Sequence, residues 1–302
     1  MISIVETPPT PEARSNQPKQ LLRMMMRSCI ERVRALFNPP LNQAWQRHME
    51  KIRPAEIDDL GAILTIYNSV QLPYEFYYNL KAKSGRKPNL LWGRGGFICP
   101  PNIKDLEQML KKGKGVAAVA KMKSGEIAGY TGVITDPNVL TEIYGEWFNY
   151  APDTPYSQEN LPNKTSSDKN IIWINKGIAV QFLNNATETA ASVEMAVSPK
   201  VTWRRTGLAT ALKAHVYEGI KNKKIVVRYA EIQSIDNVPL SSTNWASEQF
   251  TKARGGEEFA IFYEHIELQF PGHPVVQLIV AWHCCLVDRE EMLSIIGASQ
   301  RS

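Results

Sequence analysis

The chain has 302 residues, 43% hydrophobic and 22% charged, a composition that supports a packed core and excludes a disordered or collagen-like chain. The net charge of +5 is unevenly placed: between Lys19 and Arg53 eight Lys or Arg face two Glu, a local balance of +6. The remainder is near neutral, which argues against a nucleic-acid footprint spread over the fold.

Residues 1–18 are Pro-rich and polar with nothing to bury, and are expected to be disordered. They lack the apolar stretch of a secretory signal. Residues 19–48 form a basic helical extension. Leu22, Met25, Cys29, Val33 and Leu36 recur at helical spacing, and Asn38-Pro39-Pro40 ends the helix. The pattern allows a membrane-surface or partner-docking helix that would suit an acidic partner. It also allows a helix packed back on the main domain with its arginines solvated, and the latter is the simpler reading.

From residue 49 onward the chain reads as a single α/β domain. A short strand at Lys51–Ala55 precedes a helix carrying Leu60, Ile63, Leu64 and Ile66, with Asp58 or Asp59 at its start. Residues 71–103 read as a long loop with short helical pieces, in which Tyr74, Tyr77, Tyr78 and Trp92 either line an acceptor pocket or anchor the loop. A helix follows at Ile103–Lys112. Two strands, Gly115–Met122 and Glu126–Thr135, flank the turn Lys123-Ser124-Gly125. Residues 136–170 form an insertion longer than ordinary connections.

Strands are predicted near Ile171–Phe182 and Thr187–Val197, a helix at Thr206–Asn222, a strand at Ile225–Ile235 and a helix at Ser242–Arg254. Two closing strands cover Glu258–Leu268 and Val275–Val287. The last is too interrupted, by Gln277 and His283, to span a membrane, which needs about 18 apolar residues. The four cysteines show no C-x-x-C spacing, and Cys284 and Cys285 point to opposite faces of a strand, a pattern that suits a reducing, cytoplasmic setting. His283-Cys284-Cys285 is not read as a metal site, because adjacent positions alternate faces and no second ligand cluster exists. His265, on an alternating strand, is read as solvated or core.

The informative stretch is Val193–Leu212, VEMAVSPKVTWRRTGLATAL. It resembles the acyl-CoA motif of the GNAT (N-acetyltransferase) superfamily: a strand ending in Val, then Arg-x-x-Gly-x-Ala opening a helix, here Arg204-Arg205-Thr206-Gly207-Leu208-Ala209. The physics agrees. A helix N-terminus carries unpaired amides and about half a positive charge, so it binds pyrophosphate. Gly207 clears the approach, Ala209 keeps the next turn small, and Thr210 completes the first turn. Arg204 and Arg205 oppose the helix dipole unless an anion sits there, and would contact its oxygens.

The resemblance implies a mixed, largely antiparallel sheet flanked by helices, and an acetyltransferase using acetyl-CoA or another acyl-CoA and no metal. It implies a small-molecule or protein amine acceptor. It further implies that the backbone at Ala196 and Val197 holds the pantetheine arm, and that Asn244 opens the next helix beside the cofactor. Two departures stand out. The spacer Ser198–Trp203 is about two residues longer than the family usually has, and Thr251 occupies the position of the tyrosine that serves family members as general acid. Alternation sets Val193, Met195 and Val197 on one strand face and Glu194 and Ala196 on the other. Glu194 is either the base that takes the amine proton or a partner to a cross-strand Lys. A GNAT-like acyl-CoA decarboxylase or carrier-protein loading domain, and a non-catalytic acyl-CoA sensor, are the alternatives.

Overall fold

The computed structural model describes residues 48–84, 96–140, 155–159, 161, 171–199 and 207–301, apart from a few side chains, that of Glu194 among them. The basic extension at 19–47, Trp92, most of the insertion, and Arg204 and Arg205 lie outside the described residues. All described residues fall in one compact unit, Leu41–Ser302.

Among the described residues nine strands form one sheet: β1 (Met49–Pro54), β2 (Gly115–Met122), β3 (Ile127–Ile134), β4 (Ile171–Trp173), β5 (Thr189–Val197), β6 (Lys224–Ile235), β7 (Val238–Thr243), β8 (Glu257–Leu268) and β9 (Val276–Asp288). Their spatial order is β1-β2-β3-β5-β6-β9-β8-β4, with β7 paired to β6. Only β5 and β6 pair in parallel among these neighbours. The largely antiparallel mixed sheet is the fold class the sequence leads one to expect.

Helices α1 (Leu60–Val70), α2 (Tyr74–Ala82), α3 (Ile103–Leu110) and α4 (Lys176–Asn184) cover one face. Helices α5 (Leu208–Glu218), α6 (Trp245–Lys252) and α7 (Arg289–Arg301) lie on the other. Asp59 secures the short 3-10 turn, Ile57–Asp59, that leads into α1: it accepts the Glu56 N–H at 2.9 Å and takes both Arg53 guanidinium nitrogens, at 2.8 and 2.7 Å. Leu208, Leu212 and Val216 recur every four residues and bury one stripe of α5 against Ala118, Ala120, Ala128 and Val133. The β2–β3 turn is closed as expected, with Gly125 at φ 86 and the Met122 N–H donating to the Glu126 carbonyl.

Several elements differ from the sequence reading. The strand expected at 171–182 is a three-residue strand followed by α4. Asn175 caps that helix by accepting the Ile178 N–H at 3.2 Å, and Ile178, Ala179, Phe182 and Leu183 are buried at helical spacing. A segment rich in Ile, Val and Phe reads as strand by propensity, and packing on β8 overrides it. Within 71–103 a full helix, α2, forms around buried Tyr77 and Leu80. The helix expected from Ser242 begins instead at Trp245. The residues before it are β7, joined to β6 through Asp236 and Asn237 at φ 47 and 64, a two-residue turn of the kind that suits a hairpin's twist. Helix α7 was not anticipated; Asp288 opens it by accepting the Glu290 and Glu291 N–H groups at 2.9 and 3.1 Å. Cys284 and Cys285 do enter opposite cores. Among the described residues no helix is long and apolar enough to cross a membrane.

Candidate functional site

The site grows out of one irregularity. β5 and β6 pair only through Thr189–Ala191 and Lys224–Val226, although β5 runs on to Val197 and β6 to Ile235. Past Ala191 the two strands part. The far side of the opening is bounded at Ala230, whose carbonyl accepts the Asn244 N–H at 2.8 Å. A gap inside a sheet leaves edge amides and carbonyls facing into it, where a ligand with amide groups can pair with them.

Which residues present those groups follows from parity. The Ser198 N–H donates to the Ala128 carbonyl at 2.8 Å, so β5 positions two apart from Ser198 also spend their backbone groups on β3. Ala196 is one of these. Its backbone is directed to Tyr130 of β3, and so away from the opening. Val197 and Met195 turn their groups toward the opening. Sequence alternation alone does not single out Met195, because which side is open depends on which neighbouring strand ends first.

A correction concerns the faces of β5. Thr131 pairs with Met195 but Val133 pairs with Ser192, so β5 carries one extra residue opposite Gly132. This bulge at Val193–Glu194 breaks strict alternation. Val193 packs with Ala196 on the α1–α3 face, while Val197 packs under α5. The simple grouping of Val193, Met195 and Val197 on one face therefore fails at Val193. Glu194 sits in the bulge, next to the point where the strands part.

Helix α5 starts at the open end of this gap. Gly207, at φ 84, is its N-cap in the left-handed region, a conformation in which any side chain is strained. The first amides of α5 have no partner within the helix. Leu208 is 1% exposed and sunk in the core, so its amide alone is available; Ala209 and Thr210 are half-buried at the mouth. Asn244 caps α6, its side chain accepting the Ser247 N–H at 3.2 Å. Its side-chain oxygen is occupied in holding that helix start against β6. Thr251 is buried, and its carbonyl closes the turn after α6 by accepting the Arg254 and Gly256 N–H groups.

The structure adds residues that the motif does not contain. Lys213 of α5 is 4% exposed and donates to Ser192 Oγ at 2.6 Å. Arg254, also 4% exposed, reaches Thr210 Oγ1 at 3.2 Å and the Phe250 carbonyl at 2.9 Å, and lies 3.5 Å over the Phe250 ring. Burial, helped by the neighbouring Arg254 charge, holds the Lys213 amine down to about 7, and burial lowers Arg254 to about 10. The signal for Lys213 lay in its spacing, four before Tyr217 on a helix apolar on both flanks.

On the same sheet face stands a second polar group. His283 meets Glu258 Oε1 through Nδ1 at 2.6 Å and Glu231 Oε2 through Nε2 at 3.0 Å, and its ring stacks on Tyr229 with centroids 4.6 Å apart. Burial alone would lower its pKa, but hydrogen bonds to the two carboxylates raise it to about 9. Both ring nitrogens are thereby taken. Of the tyrosines considered for an acceptor pocket, Tyr77 is buried and anchors the loop by donating to the Ile98 carbonyl at 3.1 Å. Tyr78 is exposed, and Tyr74 stacks on His273. His265 is exposed on β8.

No protein-family profile matches the chain, and no curated protein is significantly similar to it in sequence. Among solved structures it is similar to an N-acetyltransferase from Staphylococcus aureus Mu50, at 12% identity and TM-score 0.35, over 79% of this chain and 98% of that one. A ribosomal-protein-alanine N-acetyltransferase from Brucella melitensis is similar at 15% identity and TM-score 0.32, over 76% and 98%. The spermidine/spermine N-acetyltransferase of Vibrio cholerae is similar at 10% identity and TM-score 0.34, over 82% and 96%.

Proposed function

We propose that this chain is an acyl-CoA-dependent transferase of the GNAT type, moving an acetyl or other short acyl group from CoA to an amine. The observation that carries the reading is the β5–β6 opening, which ends at Ala191, with the Gly207-capped start of α5 at its mouth. A strand edge with free amides and a helix start with free amides match the two polar parts of CoA, its pantetheine amides and its pyrophosphate. Met195 and Val197 would align the pantetheine arm. The amides of Leu208, Ala209 and Thr210, with Arg204 and Arg205, would hold the phosphates.

Transfer forms one C–N bond and breaks one C–S bond, so a proton leaves the amine and one reaches the thiolate. Glu194, at the bulge, is the candidate to take the first. Thr251 is buried and is no acid, so the thiolate would draw its proton from water. The reading places the enzyme in the cytoplasm, consistent with the free thiols at Cys284 and Cys285.

Thiol release from acetyl-CoA, with product mass followed in the presence of amines, tests the reading. Glu194→Gln is expected to lower turnover on the order of 10²-fold and flatten the acid limb of the pH–rate profile. Acyl-CoA binding should change little. Thiol release without an acylated amine would favour a decarboxylase or carrier-loading enzyme, and binding without turnover a sensor.

A further inference from the structure

Two buried cations lie under α5, Lys213 beside the closed end of the opening and Arg254 beside the start of the helix. Ser192, the partner of Lys213, is the first β5 residue past the last pair with β6. Thr210, the partner of Arg254, lies in the first turn of α5. The two cationic groups thus lie under α5, between its start and the apex of the gap. Among the described residues neither cation makes an ion pair with a carboxylate; their contacts are hydroxyls, a carbonyl and aromatic rings.

Two buried polar atoms lack partners there. Arg254 Nε makes no hydrogen bond. The buried Tyr217 hydroxyl faces Ser192 without a hydrogen bond of good geometry. Leaving such donors and two like charges in a low-dielectric site is costly, and a single oxyanion relieves all of it by accepting from Arg254, Lys213 and Tyr217. Arg254 supplies a planar fork and Lys213 a point charge, the pair of donors that suits a compact oxyanion.

The position says which oxyanion. With pyrophosphate at the α5 start and the arm along Val197 and Met195, the acyl group points toward Ser192 and the apex. We propose that the Lys213–Arg254 pair receives a carboxylate at the far end of the acyl group, so that the preferred donor is the CoA thioester of a short dicarboxylic acid. This rests on the acyl-CoA reading above and adds the substrate class to it.

Calorimetry on the full chain with CoA, acetyl-CoA and succinyl-CoA tests the proposal. Succinyl-CoA is expected to bind at least ~10-fold more tightly than acetyl-CoA, the scale of one charge-assisted contact. Lys213→Met and Arg254→Met should each erase that preference and leave acetyl-CoA binding within about 3-fold of the parent, the latitude of one neutral contact. Equal binding of the two thioesters by the parent chain overturns the proposal, and this comparison needs no variant to fold. So does a parallel weakening of all three ligands in the variants, which would assign the cations to the CoA phosphates. If none of the three binds, the acyl-CoA reading itself falls, a result distinct from binding without preference.

Discussion

Two polar clusters sit on the same face of the sheet, and they handle buried charge in opposite ways. Around His283 the account is closed: Glu231 and Glu258 take both ring nitrogens, and Ser241 in turn donates to Glu231. Around Lys213 it is open among the described residues, since the charge of Arg254 that acts on it has the same sign. Burial disfavours the charged form in both, yet His283 is raised to about 9 and Lys213 lowered to about 7. The lesson is that burial alone identifies neither a structural nor a ligand site. The presence or lack of a counter-charge among the described residues separates them, and the cluster lacking one reaches Ser192, where β5 leaves β6.

The largest effect expected is on the closed cluster. Removing one carboxylate, by Glu258→Gln or Glu231→Gln, leaves a half-buried imidazolium with half its partners, and should cost on the order of 3 kcal/mol in denaturant unfolding. CoA binding should change little, because both carboxylates are engaged with His283. A variant with parent-like stability would show the His283 network to be idle, and would break the comparison.

Next comes Gly207→Glu. It places a side chain and a negative charge on a residue at φ 84 where phosphates are to sit. CoA affinity should fall about 100-fold or more, roughly 2.7 kcal/mol. Unchanged affinity by calorimetry would remove the α5 start from the site.

The pH dependence of stability gives the sharpest contrast. His283 has a folded pKa near 9 against an ordinary 6.5, so its contribution is complete below about 6.5 and disappears as pH rises through 9. Lys213 has a folded pKa near 7 against an ordinary 10.5. Its penalty is complete below about 7 and is relieved as pH rises toward 10.5. Between pH 7 and 9 the two slopes oppose each other. His283→Gln should therefore uncover a stability that rises with pH, and Lys213→Met one that falls, each by about 1 kcal/mol per pH unit at most. Parallel profiles in the two variants would refute the contrast.

The smallest effect expected is a gain. Lys213→Met removes an amine that the fold buries without an anion, and should stabilise the ligand-free chain by about 1 kcal/mol near pH 6, where that cost is full. Thermal unfolding measures it. A loss of stability instead would mean that the Ser192 contact outweighs the burial cost, making the lysine structural.

Local chemistry decided much of this protein before any folding. Gly125 and its neighbours specify the β2–β3 turn, Asp59 the turn that leads into α1, and Gly207 the start of α5, because each acts on backbone atoms within a few residues. The motif from Val193 to Leu212 was legible for the same reason: a strand, a loop and a helix start are contiguous in the chain. What the tertiary structure alone decided concerns partners distant in sequence. Whether Met195 or Ala196 faces the opening depends on β6 leaving β5 at Ala191. Whether 176–184 is helix depends on β8 offering a surface for Phe182 to meet Phe259, with rings 5.3 Å apart. Lys213 and Arg254 are 41 residues apart in the chain. They come near each other because the turn after α6 brings Arg254 to Thr210 of α5, and the packing of whole elements leaves no record of such a meeting in any short stretch of sequence.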